Sequence, residues 1–263
     1  MNTDLLSLLS IGSRDWAALG FTFMLVLART AAATMMLPAI GESAAPAMVR
    51  AGFALCLTVL IVPTLPVQAA GVSETSIEAC AYVVAEVTTG LTLGWLARVW
   101  VQSLAVAAQF IAYLLGISSV LQPDADLGPQ STALAHLFDL AGPVIILTSG
   151  LFMLPIRALA GSYVMIPPGR FLSAGFLAQS GLRSVEGAFT LALQLAAPFV
   201  VASVVWHVAI GLLSRLVPKL QVYFVAMPGQ IIGGLLLLSL SASVILGGWY
   251  SGVQAELMRG LPG

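Results

Sequence analysis

Residues 79–121 read ACAYVVAEVTTGLTLGWLARVWVQSLAVAAQFIAYLLGISSVL. The stretch holds only two formal charges, Glu86 and Arg98, and the only break in the apolar run is Arg98 and its neighbours. Between Leu96 and Ala112 there is no Gly and no Pro. Two geometries are open: one helix of about forty residues, or a tight hairpin of two. One helix of that length, at about 1.5 Å per residue, runs about twice the ~30 Å of bilayer hydrocarbon. The lack of a breaker favours continuity, and such a helix is more than a simple membrane span.

The rest of the chain has the same character. Of 263 residues, 59% are hydrophobic and 8% charged, with a net charge of −1 and a mean hydropathy of +1.02. Soluble domains carry about 25% charged residues. The composition therefore excludes an ordinary soluble enzyme, a disordered chain and a nucleic-acid binder. It predicts one all-α, polytopic membrane-type domain over residues 1–263. Seven apolar segments emerge, at about 16–38, 51–67, 79–97, 99–121, 133–156, 187–214 and 222–248. They are continuous rather than alternating, which disfavours a β-barrel.

Prolines punctuate these segments. Pro38, Pro46, Pro63 and Pro66 mark early connections. Pro143 and Pro198 fall inside apolar runs, where each removes an N–H donor and kinks a helix. Residues 157–186 read as the longest loop, with Pro167-Pro168-Gly169 as its breaker. Arg157, Arg170 and Arg183 make that loop basic, and Arg259 lies in the tail. The 68–78 and 122–132 loops are acidic, so the positive-inside rule would put the basic loop and C-terminus in the cytoplasm. Arg215 and Lys219 break the alternation. With its first basic residue at Arg14 and Arg29 inside the first apolar run, the N-terminus reads as retained rather than as a cleaved signal.

Four places put ionisable groups inside apolar runs: Arg29, Glu86, His136 with Asp139, and His207. Charges at membrane depth are costly and face protein or water. They serve either a proton or ion path or buried structural pairs. His136 and Asp139, at i and i+3, share a helical face. Gly90 and Gly94, Gly229 and Gly233, and Gly248 and Gly252 each have the four-residue spacing that lets helix backbones approach closely. Cys56 and Cys80 read as buried packing residues. There is no C-x-x-C, no H-E-x-x-H, no G-x-S-x-G and no G-x-x-x-x-G-K. No catalytic site, metal or cofactor is implied.

Order and punctuation together carry a resemblance. Arg29 is followed by Pro38, Pro46 and Arg50, then by Val62-Pro63-Thr64-Leu65-Pro66. Next come Glu86, Gly90 and Gly94, then a long apolar run to Gly116. Near the end stands GLLSRLVPKLQVYFVAMP, residues 211–228, with Gly211, Arg215, Pro218 and Pro228. From about Ala17 to Gly248 this resembles the FliR family of flagellar export-gate proteins, related to the SpaR/YscT/HrcT type III secretion proteins.

The resemblance implies kinked helical hairpins within a helical export-gate assembly, much of it held out of the bilayer. It implies a non-enzymatic subunit that shapes and gates a pore for unfolded flagellar proteins. The implied partners are FliP-like and FliQ-like subunits, a FlhB-like protein, a FlhA-like component and the basal-body ring, with no nucleic acid. The implied place is the bacterial inner membrane, in the flagellar basal body. It also implies a pore plug at Gly116-Ile117-Ser118-Ser119-Val120-Leu121-Gln122, where apolar side chains would exclude water and ions. This plug lacks the aromatic residues of related proteins. An injectisome homologue and, in a different class, a proton-coupled small-molecule transporter are the alternatives.

Overall fold

Long runs rich in Ala, Leu, Val and Gly form helices. A computed structural model describes residues 12–41, 45–65, 76–117, 132–216 and 222–260. Among these residues there are seven α-helices and no strand. They are α1 (Gly12–Met36), α2 (Ala47–Ile61), α3 (Ser76–Leu115), α4 (Ala133–Ser149), α5 (Met153–Met165), α6 (Ala174–Leu216) and α7 (Val222–Gly260). A short 3₁₀ turn, Val62–Thr64, follows α2. Five helices are long and apolar enough to cross a membrane, or six if α4 and α5 count as one bent span. The protein is all-α and polytopic in type.

The two geometries left open for residues 79–121 resolve to one. α3 is a single helix of 40 residues, about 60 Å long. With no Pro in the helix and no Gly between Leu96 and Ala112, nothing interrupts its hydrogen-bond ladder.

Elsewhere the helices depart from the apolar segments. The 133–156 segment breaks at Gly150, whose φ of 76° follows the end of α4, and α5 begins at Met153. Pro155 then occupies the first turn of α5, where its missing N–H costs nothing. The expected 157–186 loop is mostly helix, since α5 continues to Met165 and α6 begins at Ala174. Hydropathy misses the start of α6 because Gln179, Ser180, Arg183 and Glu186 are polar but tolerated in a helix. Pro143, Pro198 and Pro228 lie inside α4, α6 and α7.

The chain forms two compact units, the first of residues 1–98, 149–183 and 257–263 and the second of 99–148 and 184–256. In the first, Val26, Ala33, Leu57, Ile61, Leu93, Leu159 and Tyr163 make one core. In the second, Trp249 is fully buried and its indole Nε1–H donates to Ser103 Oγ at 3.2 Å. Phe110 and Phe189 meet edge to face, 5.6 Å between centroids. Both units leave large apolar side chains exposed, among them Leu60, Val201, Leu212 and Leu240. Cys56 and Cys80, expected to be buried, are exposed as well. An apolar stretch in this chain does not imply burial within the chain.

Candidate functional site: a buried ion-pair node and the end of the long helix

In the first unit the sequence puts the base Arg29 in the apolar part of α1 and the acid Glu86 in the apolar part of α3. They find each other. Arg29 Nε lies 2.6 Å from Glu86 Oε2, and Nη2 donates to Oε1 at 3.0 Å. Both side chains are completely buried. Arg29 Nη1 donates to Ser162 Oγ at 3.1 Å, and Nη2 also reaches the Ile166 carbonyl at 3.1 Å. The guanidinium stacks 4.1 Å from the Tyr163 ring centroid, a cation–π contact.

Glu86 Oε1 takes a further bond, from the Gly169 backbone N–H at 2.7 Å. Gly169 has φ 84°, a backbone region that favours glycine, and it follows Pro167-Pro168. The breaker sequence thus aims an amide at the carboxylate. Four Arg29 N–H bonds and three bonds at Glu86 satisfy the pair, as a buried ion pair requires. Its chemistry is cross-linking: it ties α1, α3, α5 and the turn after α5 together.

The Gly90 and Gly94 positions make this pairing possible. A Cβ at Gly90 would collide with the Arg29 carbonyl oxygen, and one at Gly94 would lie 2.6 Å from the Ala33 carbonyl oxygen. α1 therefore rests on the α3 backbone itself. A second polar tie, Thr30 Oγ1 to Thr58 Oγ1 at 2.7 Å, joins α1 to α2.

The remaining candidate residues that are described lie in the second unit, and among the described residues they do not assemble into one cluster. His136 is half-buried on α4 and Asp139 is exposed, and no hydrogen bond or ion pair joins them among the described residues. His207 is exposed, with Nδ1 2.7 Å from the Ser203 carbonyl oxygen one turn back. Gly211 and Arg215 are exposed near the end of α6, and Pro228 is in the first turns of α7. Pro218 lies outside the described residues. Of the 116–122 stretch, Gly116 and Ile117 are described and Ser118, Ser119, Val120, Leu121 and Gln122 are not. Gly116, at φ 72°, ends α3, and Ile117 is buried.

A cavity of about 100 Å³ opens beside Leu114, Leu115, Phe199, Trp206, Gln230 and Gly234. Among the described residues, the buried Trp206 indole N–H has no hydrogen-bond partner. Ser162, Tyr163, Gly169 and Gln230 are invisible as site residues in the sequence. Only Pro167-Pro168-Gly169 carries a signal, and it signals a turn rather than a partner for Glu86.

Residues 21–255 match the family described as Bacterial export proteins, family 1. The chain belongs to this family. Among its relatives, the flagellar biosynthetic protein FliR of Caulobacter vibrioides is 33% identical over 225 residues, which is 86% of this chain and 90% of that one. FliR of Bacillus subtilis is 28% identical over 240 residues (85% and 86%), and FliR of Escherichia coli 25% over 234 residues (88% and 88%). The span shared with the bacterial export proteins takes in the whole Arg29–Glu86 node, both glycine contacts and the end of α3.

Proposed function

We propose that this protein is the FliR-type subunit of the flagellar type III export gate, with a structural and gating role. The observation that carries the reading is the family match over residues 21–255, with FliR relatives aligned across most of both chains. The protein is a component of flagellar type III export.

The finer reading rests on the resemblance and on the physics of the fold. Proline-containing helices with exposed apolar faces suit packing against other helical subunits. FliP-like, FliQ-like and FlhB-like proteins are the partners in this reading, with a FlhA-like component and the basal-body ring nearby. The assembly sits at the inner membrane and passes unfolded flagellar proteins. Residues 116–122 close its pore between substrates, and the subunit shapes the path without catalysing a reaction. Gly211, Arg215, Pro218 and Pro228 serve the same assembly.

A proton-coupled transporter is the weaker reading. Glu86 is held by Arg29 and by the Gly169 amide, and a carboxylate with both oxygens engaged in a buried pair is poorly placed to cycle a proton. Deletion of the gene in the native host tests the proposal. Loss of flagella and motility is expected. Normal flagella in the deletion strain would overturn it.

A further inference from the structure

In the second unit α6 and α7 run antiparallel. A Cβ on Gly252 would lie 2.8 Å from the Leu191 side chain, one on Gly248 3.5 Å from Leu195, and one on Gly229 3.3 Å from Trp206. The numbering falls on α6 as it rises on α7, so Gly248 stands level with Leu195 and Gly252 with Leu191.

The buried face of α6 carries Ala188, Ala192, Leu195, Ala196 and Phe199. Steps of three or four residues keep to one side of a helix. Along the opposite side they pass Glu186, Thr190 and Gln194, then Ala197, Val201, Val204, Val208 and Leu212, then Arg215, all of them exposed. One continuous line is thus polar, then apolar, then basic, with the first change between Gln194 and Ala197. On α7 the exposed line Ile232, Leu236, Leu240 and Val244 is apolar, and its next steps are Gly247 and Ser251. That change falls between Val244 and Gly247, beside the Gly248–Leu195 contact. Both helices therefore switch at one level. Ser239 and Ser243 are polar exceptions beside the α7 line, and a serine hydroxyl can bond its own helix backbone.

A partner helix has no reason to set a common level on two helices, whereas a lipid interface does. The height fits as well. Gln194 and Arg215 bracket the α6 band about 32 Å apart along the axis, against ~30 Å of bilayer hydrocarbon. On α7 the large exposed apolar side chains from Phe224 to Val244 cover about 30 Å. An ionised Glu186 would be costly inside hydrocarbon, as would the Gln194 amide, which has no hydrogen bond among the described residues. Arg215 has a stem long enough to bring its charge to the headgroups at the other edge.

We infer that the acyl chains of the bilayer cover the outward face of the α6–α7 pair between the levels of Gln194 and Arg215. Glu186, Thr190 and Gln194 stand outside the hydrocarbon. Within its 43 residues α6 is then a membrane span only in its C-terminal half. The inference goes beyond the gate reading and is independent of it: one exposed band is assigned to lipid, and the other exposed apolar faces are left to subunits.

Spin labels on single cysteines test this. Cys56→Ser with Cys80→Ser removes the native thiols. Thr190→Cys, Val201→Cys, Val204→Cys, Val208→Cys, Leu236→Cys, Leu240→Cys and Ser251→Cys, all at exposed positions, then each carry one nitroxide. Relaxation by oxygen, which concentrates in acyl chains, and by a water-soluble nickel chelate is measured in vesicles of phosphatidylethanolamine and phosphatidylglycerol. The chain alone reads the boundary: labels at 190 and 251 should respond to nickel, and those at 201, 204, 208, 236 and 240 should lose that response and gain the oxygen response. The gate assembled with FliP-like and FliQ-like partners reads the occupant, and the band labels should keep the oxygen response there. An oxygen response at 190 and 251 equal to that at 204 would overturn the boundary. In the assembled gate, a response to neither agent at 204, 208 and 236 would mean that a subunit covers the band, and a nickel response would mean that water does. Either would overturn the assignment to lipid. Failure of any gate to assemble would count against the gate reading, and the chain alone would then decide the inference.

Discussion

Arg29 and Glu86 stand 57 positions apart in the chain and meet through two hydrogen bonds, at 2.6 and 3.0 Å, with no solvent exposure of either side chain. Breaking a buried pair by removing one partner leaves an uncompensated charge and costs about 3–5 kcal/mol. We expect Glu86→Ala and Arg29→Ala each to be destabilising by that order. The double variant Arg29→Met with Glu86→Leu should recover much of the loss, because it removes both charges together. Denaturation midpoints of the purified, detergent-solubilised chain measure this. Additive losses in the double variant would contradict the pairing.

The glycines of α3 and α2 should separate cleanly. Gly90 and Gly94 face the α1 backbone with no room for a methyl group. Overpacking of this kind costs about 1–3 kcal/mol, so Gly90→Ala and Gly94→Ala should lower the melting temperature. Gly52, in the middle of α2, has nothing within 4 Å of the position a methyl group would take. Gly52→Ala should be neutral or stabilising by about 0.5–1 kcal/mol, the helix-propensity difference. Equal effects at all three positions would refute the close approach of α1 and α3.

Trp249 is buried completely and bonds Ser103. Trp249→Phe forfeits one hydrogen bond, about 1 kcal/mol, together with part of the ring's packing. Trp249→Ala opens a cavity and should cost about 3–5 kcal/mol. Thermal unfolding monitored by circular dichroism should rank wild type, Phe and Ala in that order. A Trp249→Ala variant with an unaltered midpoint would count against this core.

Gly211 tests the proposed assembly. Nothing lies within 4 Å of a methyl group placed there, and it is exposed near the end of α6. Gly211→Ala should therefore leave the melting temperature of the isolated chain unchanged or slightly higher. If other subunits cover this face, the same change should reduce co-purification with FliP-like and FliQ-like proteins and reduce swarming. Full assembly and motility would show that the position faces no partner.

The helical class is readable in residues 79–121 because the run is long, apolar and free of Gly and Pro between Leu96 and Ala112, and away from water such a run has one low-energy backbone solution. The prolines at 143 and 198 are readable as interior because apolar residues continue on both sides of each. The start of α6 is not, since hydropathy reports polarity and the polar residues 179–186 are helical nonetheless. The break at Gly150 is hidden because neither flank changes composition there. Of the candidate site, Arg29, Glu86, Gly90 and Gly94 stand out as charge or small-residue anomalies in apolar runs. Gln230 does not, because one Gln in an apolar helix has no partner until α3 arrives beside it.

The sequence alone determined that the chain is a set of long apolar helices, where charge is rare enough to be noticed, and which family it resembles. These are local properties, set by side-chain transfer free energies and backbone sterics. Only the tertiary structure decided that Arg29 pairs with Glu86, that Gly169 supplies the third bond, and that Gln230 donates to the Leu114 carbonyl near the end of α3. A buried polar group must find a partner, but its own residue type does not say which. That choice depends on which segments the packing of the glycine-lined faces brings within about 3 Å, the reach of a hydrogen bond.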